Sequence, residues 1–282
     1  MKLLRYGVVG HERPGVLDPG GGIRYLSSRI RDVTPETLSP RSLDELRAVS
    51  PERLPLVEGR PRLGAPVRGV GKFIAVGLNY RDHAEETGQS IPSEPVIFSK
   101  AISCIVGAND DIVLPRNARK VDWEVELGVV IGTRAAYVPE ERALEHVAGY
   151  CVVNDLSERE FQLERGGTWD KGKGCDTFGP IGPYLVTRDE VQDPQSLDMW
   201  LAVNGRRRQT GNTRTMIFPV RTLVSYISQF MTLHPGDIIT TGTPPGVGMG
   251  QKPPVYLAEG DVVTLGISTL GEQSQRVVSW SA

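Results

Sequence analysis

Short apolar runs separated by turn residues dominate the chain, and long amphipathic stretches are few. Phe73-Ile74-Ala75-Val76-Gly77, Leu127-Gly128-Val129-Val130-Ile131 and Tyr150-Cys151-Val152-Val153-Asn154 are β-branched or apolar throughout, the pattern of buried strands. Residues 237–241 form a further such run. Leu201-Ala202-Val203 leads into Asn204-Gly205, the dipeptide that suits a two-residue hairpin turn. Near the N-terminus, residues 3–6 and 23–26 flank the turn-rich Asp18-Pro19-Gly20-Gly21-Gly22 and are expected to pair as a hairpin. The longer helical stretches are expected at residues 42–49, 139–148 and 219–231. Gly149 is the expected stop of the second. The third carries Val220, Leu223, Val224, Ile227 and Phe230 on one face, with Pro219 preorganised for its start. Strands that do not alternate with helices argue against a doubly wound sheet. The expected class is α+β, mostly β, with mixed sheets.

Residues 54–66 carry Pro55, Gly59, Pro61, Gly64 and Pro66, a linker composition. It divides the chain into a small N-terminal unit, residues 1–68, and a larger one, residues 69–282. The 32 Lys and Arg against 34 Asp and Glu give a net charge of −2, which excludes the basic footprint of a nucleic-acid binder. No apolar run approaches the roughly 18 residues of a membrane span. The opening Met1-Lys2-Leu3-Leu4-Arg5-Tyr6 has no signal-peptide core. A cytoplasmic protein is expected. Cys104, Cys151 and Cys175 are an odd set without a CxxC pair, so neither a disulfide framework nor a thiolate zinc site is indicated.

The chemistry concentrates in carboxylates. In Asp122-Trp123-Glu124-Val125-Glu126, alternation on a strand points the three acids one way and the apolar residues the other. Stacked carboxylates repel unless their face meets water or a cation. A further acid, Asp155, stands at the exit of the buried-looking run through Asn154. Glu124, Glu126 and Asp155 make an oxygen-only donor set suited to a hard divalent ion, with no His or Cys to favour zinc.

Residues 79–88, Asn-Tyr-Arg-Asp-His-Ala-Glu-Glu-Thr-Gly, read as a short helix with Asp82 as N-cap, Glu85 completing a capping box and Gly88 as the stop. His83 and Glu86 then share a face, and a carboxylate on an imidazole suits it to act as a base toward water. The polar Gln89-Ser90-Ile91-Pro92-Ser93 that follows makes the segment a candidate lid, mobile over residues 82–95. Lys173, among glycines, is a candidate for neutralising a developing oxyanion. A solvated strand face, an incidental ion pair on an exposed helix and a surface turn remain the plain alternatives on spacing alone. Gly242-Thr243-Pro244-Pro245-Gly246-Val247-Gly248-Met249-Gly250 lacks the Gly-Lys-Ser/Thr ending of a phosphate loop and does not fit GxGxxG, which rejects nucleotide binding. There is no GxSxG.

Taken in order over roughly residues 72–278, these motifs resemble the fumarylacetoacetate hydrolase family. They are Gly77-Leu78-Asn79-Tyr80 with His83 and Glu86, Phe98-Ser99-Lys100, Asp122-Trp123-Glu124-Val125-Glu126-Leu127-Gly128, Asn154-Asp155, Lys173 with Asp176-Thr177-Phe178-Gly179-Pro180, and Gly242-Thr243-Pro244-Pro245-Gly246-Val247-Gly248. The resemblance implies a mixed β-roll with a small N-terminal α/β domain, in a homodimer or higher homo-oligomer. It implies Mg²⁺ or Mn²⁺ on Glu124, Glu126 and Asp155, a water-activating dyad of His83 and Glu86, and Lys173 as oxyanion stabiliser. By the same carry-over Gln162, Thr243 and Arg81 contact substrate, while Arg159 and Thr177 support the metal and dyad. The additional metal-ligating Asp that longer members carry ahead of the catalytic His has no counterpart.

The implied reaction is hydrolysis of the C3–C4 bond of a 2,4-dioxo acid to pyruvate and a carboxylic acid. Residues 151–167 look closest to the sugar-acid branch, whose 2,4-diketo-3-deoxy-L-rhamnonate (or fuconate) hydrolase releases pyruvate and lactate. Oxaloacetate decarboxylation, isomerase or ureidoglycolate-lyase activity on the same scaffold, and a non-catalytic sugar-acid binder are the alternatives.

Overall fold

Antiparallel pairing of two wholly buried strands organises the molecule. The computed structural model describes residues 1–88 and 90–281. Within it Val125–Ile131 pairs with Val147–Asn154, with Leu127 opposite Val152 and Val125 opposite Asn154. Gly179–Thr187 continues the sheet on one side. Ile238–Thr240, Phe73–Gly77 and Val96–Lys100 continue it on the other. Among the described residues this mixed sheet counts eleven strands. A second sheet of five strands runs in the order Arg206–Asn212, Asp198–Val203, Val262–Ile267, Gly271–Ser279 and Ile112–Leu114. Buried amides tie the sheets together: Gln273 donates to Val152 O at 2.9 Å, and Asn154 donates to Gln275 Oε1 at 3.2 Å. The expected mostly-β, mixed-sheet class is what the structure shows.

Three expected elements differ. The stretch at 139–148 is a 3₁₀ run, Glu140–His146, that passes directly into the strand Val147–Asn154. Gly149 lies inside that strand, because a Cβ there would stand 2.2 Å from Val186 O. It marks a close backbone approach rather than a helix stop. The helix from Pro219 is Val220–Ser228, with Pro219 as N-cap. Four of its five expected core residues are buried, but Phe230 lies beyond its end and is 61% exposed. At the N-terminus Arg13–Leu17 inserts between Lys2–Tyr6 and Ile23–Tyr25, so the strand after the glycine turn pairs with it instead. Lys2–Tyr6 also pairs with Gly179–Thr187, which makes the N-terminal strands continuous with the large sheet. The hairpin at Asn204-Gly205 forms as expected, both residues holding positive φ, 51° and 74°.

This topology builds one site. Because the two central strands are antiparallel, the start of one lies beside the end of the other, and Glu124 meets Asp155: the Asp155 N–H donates to Glu124 O at 2.9 Å. Ile238–Thr240 runs antiparallel to Val125–Ile131 and parallel to Phe73–Gly77. Its exit into the 242–250 loop, and the exit of Phe73–Gly77 toward the His83 helix, therefore fall at that same end.

Candidate active site

Glu124, Glu126 and Asp155 converge, each offering a carboxylate oxygen within 4.8 Å of the others, and all three are buried. Asp122 does not join them. The strand is interrupted at Trp123 and Glu124, which breaks the alternation that aligned the three acids of the motif. Asp122 instead accepts from the N–H groups of Gly248 at 2.6 Å and Met249 at 3.0 Å.

Three cations balance the cluster. Lys173 Nζ lies 2.5 Å from Glu124 Oε2 and 2.6 Å from Asp155 Oδ2. Arg159 Nη2 reaches Glu124 Oε1 at 2.6 Å and Asp122 Oδ2 at 2.8 Å. Lys100 Nζ stands 2.7 Å from Asp155 Oδ1 and donates to the backbone carbonyl of Lys173. Burial raises the Glu124 carboxyl, but Lys173 and Arg159 outweigh it and hold the group down at about 2. Glu126 is driven the other way by burial and by repulsion from Asp155 and Glu124, although Thr240 Oγ1 at 2.5 Å and Gly242 N–H at 2.8 Å donate to it.

The donor set fits a hard divalent cation. It is all oxygen and converges in a buried pocket, and Glu126 experiences an excess of negative charge. Asp155 Oδ1, though close to Lys100 Nζ, has no partner in hydrogen-bonding geometry. The demand for a cation comes from the gathering of three acids, Glu126 most of all, since burial and its acidic neighbours both drive its carboxyl up.

His83 and Glu86 sit on the helix Arg81–Thr87, one turn apart, with Nδ1 to Oε2 at 3.1 Å. The helix starts after Tyr80, so Asp82 lies in its first turn, where its carboxylate accepts from the His83 N–H at 3.1 Å, and the expected capping box is not formed. Gly88 does end it, at φ 65°. Glu86 accepts from the Gly246 N–H at 3.1 Å, which docks the helix on the 242–250 loop. Burial pushes the Glu86 carboxyl up, but the hydrogen bonds from His83 and Gly246 dominate and hold it below the ordinary range. Gly246 has φ 105°, and a Cβ there would lie 2.0 Å from Arg208 O, so only glycine can present that N–H. The loop thus spends its amides on protein carboxylates: Gly242 on Glu126, Gly246 on Glu86, Gly248 and Met249 on Asp122. Of the expected lid, Gln89 lies outside the described residues.

A cavity of about 90 Å³ is lined by His83, Glu124, Glu126, Asp155, Arg159, Gln162, Lys173 and Thr243, with Val76, Leu78, Phe98, Leu163, Trp169 and Met249 completing much of its wall. Gln162 Oε1 accepts from Arg159 Nη1 at 3.0 Å. The Thr243 hydroxyl donates to Val125 O at 2.9 Å and accepts from Gln209 at 2.8 Å. Two expected residues stand elsewhere. Arg81 is exposed and does not line the cavity. Thr177 is remote from the carboxylates and dyad in its contacts; it accepts from Val113 N–H at 2.9 Å in a left-handed turn, φ 66°. Nothing in the local pattern around Lys100, Asp122 or Trp169 assigns these residues a role. Lys100 does stand in the motif Phe98-Ser99-Lys100, and a lysine ending the apolar run Val96–Lys100 is a second signal.

Residues 72–278 match the family described as fumarylacetoacetate (FAA) hydrolase C-terminal, and the chain belongs to the fumarylacetoacetate hydrolase family. A Burkholderia cenocepacia (strain HI2424) protein provisionally named a hydrolase is 63% identical over 277 residues, 98% of each chain. A maleylpyruvate hydrolase from Sphingobium sp. SYK-6, solved with manganese(II) and pyruvate, superposes with TM-score 0.83 at 30% identity, over 100% of both chains. A 5-carboxymethyl-2-hydroxymuconate delta-isomerase from Mycobacterium smegmatis does so with TM-score 0.77 at 33% identity, again over 100% of both. Hydrolases and isomerases of oxo and hydroxy acids thus share this fold. Among the described residues no helix is long and apolar enough to cross a membrane.

Proposed function

We propose that the chain is a metal-dependent C–C hydrolase that cleaves a 2,4-dioxo acid between C3 and C4 to pyruvate and a carboxylic acid. Its most specific form takes 2,4-diketo-3-deoxy-L-rhamnonate, or the fuconate, to pyruvate and lactate, in a cytoplasmic homodimer. The carrying observation is the His83–Glu86 pair, anchored by Gly246 N–H, whose His83 lines the same cavity as the carboxylate triad. A pure binder or a decarboxylase has no use for a positioned base.

Glu124, Glu126 and Asp155 are the residues that would hold Mg²⁺ or Mn²⁺, which when bound supplies Lewis-acid polarisation of the 2-oxo acid end. Glu86 takes the Nδ1 proton of His83 in its hydrogen bond and so keeps Nε2 as the acceptor. Nε2 removes a proton from water as its oxygen attacks C4. The C3–C4 electron pair then passes into the pyruvate fragment, and the Lys173 ammonium offsets the oxygen charge that develops there. The proton held on His83 returns to C3, which completes pyruvate. Arg159 fixes both Glu124 and the amide of Gln162, keeping the substrate end of the cavity in register.

Purified protein with Mg²⁺, given 2,4-dioxo acids and oxaloacetate in separate reactions, distinguishes the readings by products. Pyruvate plus a second acid is expected. Pyruvate plus carbon dioxide from oxaloacetate, with 2,4-dioxo acids untouched, would make it a decarboxylase, and an isomerised product without cleavage an isomerase.

A further inference from the structure

We propose that the outer part of this cavity selects an uncharged, apolar tail on the substrate and discriminates against a second carboxylate, with Trp169 the specificity-determining side chain. The inference rests on the 2-oxo-acid reading above and deepens it.

Two short helices give the cavity its polarity. Arg159–Leu163 carries Arg159 at one end and Leu163 one turn later. Asp170–Lys173 starts at Trp169, whose carbonyl accepts from Lys173 N–H at 3.1 Å, so Trp169 and Lys173 are likewise one turn apart. Residues four apart share a helix face. Each helix therefore aims a cation at the carboxylate floor and places an apolar side chain toward the mouth, where Leu163 is 47% exposed. Phe98 bridges the levels, its ring 5.4 Å from Lys173 Nζ and edge-to-face with Trp169 at 5.1 Å. Trp169 lies against the end of Phe73–Gly77, which is possible because residue 77 is glycine: a Cβ there would come 2.4 Å from Trp169 Cζ3.

Among the described residues lining the cavity, the side chains with fixed positive charge are Arg159 and Lys173. Both are held at the carboxylate floor, on Asp122, Glu124 and Asp155, where the reacting end of the substrate and not its tail would meet them. A carboxylate on the substrate tail would lose hydration against Trp169, Phe98 and Leu163 and find no cation to pair with, whereas a methyl or other apolar tail gains contact with the same wall.

The test uses the Mn²⁺-loaded full chain and calorimetric titration with 2-oxopentanoate and 2-oxoglutarate, which differ by a terminal methyl against a terminal carboxylate. The expected result is binding of 2-oxopentanoate roughly tenfold or more tighter, the scale of an unpaired charge placed on an apolar wall. Leu163→Arg, at an exposed position, is expected to shrink that ratio by strengthening 2-oxoglutarate. Trp169→Ala is expected to weaken 2-oxopentanoate selectively. Equal affinities, or tighter 2-oxoglutarate, would overturn the selectivity while leaving a 2-oxo-acid site in place. A ratio unmoved by both variants would remove Trp169 and the mouth from the explanation. Binding of neither ligand would overturn the 2-oxo-acid reading itself.

Discussion

Lys100 and Asp155 are 55 positions apart in sequence and 2.7 Å apart in space, Nζ to Oδ1, while Lys173 Nζ holds the other oxygen at 2.6 Å. One buried carboxylate is thereby clasped between two ammonium groups. Lys100 also anchors the carbonyl of Lys173, so it fixes both partners of the second contact. Lys100→Met leaves Asp155 charged and half-paired in a dry site. It should lower unfolding free energy by about 3 kcal/mol, the cost of breaking a buried pair from one side. Urea denaturation measures this, and an unchanged midpoint would show that Lys100 does not support Asp155.

His83→Ala and Glu86→Ala leave Glu124, Glu126 and Asp155 untouched. Both variants should bind Mn²⁺ as the parent does and lose roughly 10²–10⁴-fold in hydrolytic kcat, the contribution of a positioned base. Near-full turnover by either variant would contradict the dyad.

The docking of the Arg81–Thr87 helix carries a pH signature whose sign follows from Glu86. Its carboxyl is held low by His83 and the Gly246 N–H, so the docked state binds fewer protons than the undocked one. Docking is then intact above the free carboxylate value of about 4.3 and weakens as pH falls through the lower, docked value. The Gly246 amide proton, followed by NMR, should titrate with a midpoint below that of a free glutamate. In Glu86→Gln the titration should vanish, and a midpoint at or above the free value would contradict the assignment.

Gly246→Ala combines a left-handed backbone with a Cβ 2.0 Å from a carbonyl oxygen. Backbone strain of this kind costs about 1–3 kcal/mol before the clash is counted. The variant should melt earlier and lose hydrolysis more than Mn²⁺ affinity, because the displaced N–H serves Glu86. Parent-like melting and turnover would mean the loop accommodates a side chain there.

What could be read in advance was local or periodic. Alternation placed Glu124 and Glu126 on one face, and the buried run ending at Asn154 placed Asp155 at a strand exit. Antiparallel pairing then did the rest. The same rule failed for Asp122, because the strand breaks at Trp123 and the aspartate turns to the amides of Gly248 and Met249. Gly149 read as a helix stop because its true constraint, the backbone of Val186, comes from a strand 37 positions away. The roles of Trp169 and of Lys100, although Lys100 stands in the Phe98-Ser99-Lys100 motif, escaped for a related reason. A lysine ending an apolar strand, or a tryptophan among glycines, carries no local pattern that names its partner, and the partners arrive only through the sheet order.

The account stands on one cation held by three carboxylates. Calorimetric titration of the metal-free protein with Mn²⁺ tests it directly, beside Glu126→Gln and Asp155→Asn. One ion bound per chain, with affinity reduced at least about tenfold in each variant and unchanged in His83→Ala, is the predicted result. Parent-like Mn²⁺ binding by both carboxylate variants would contradict it.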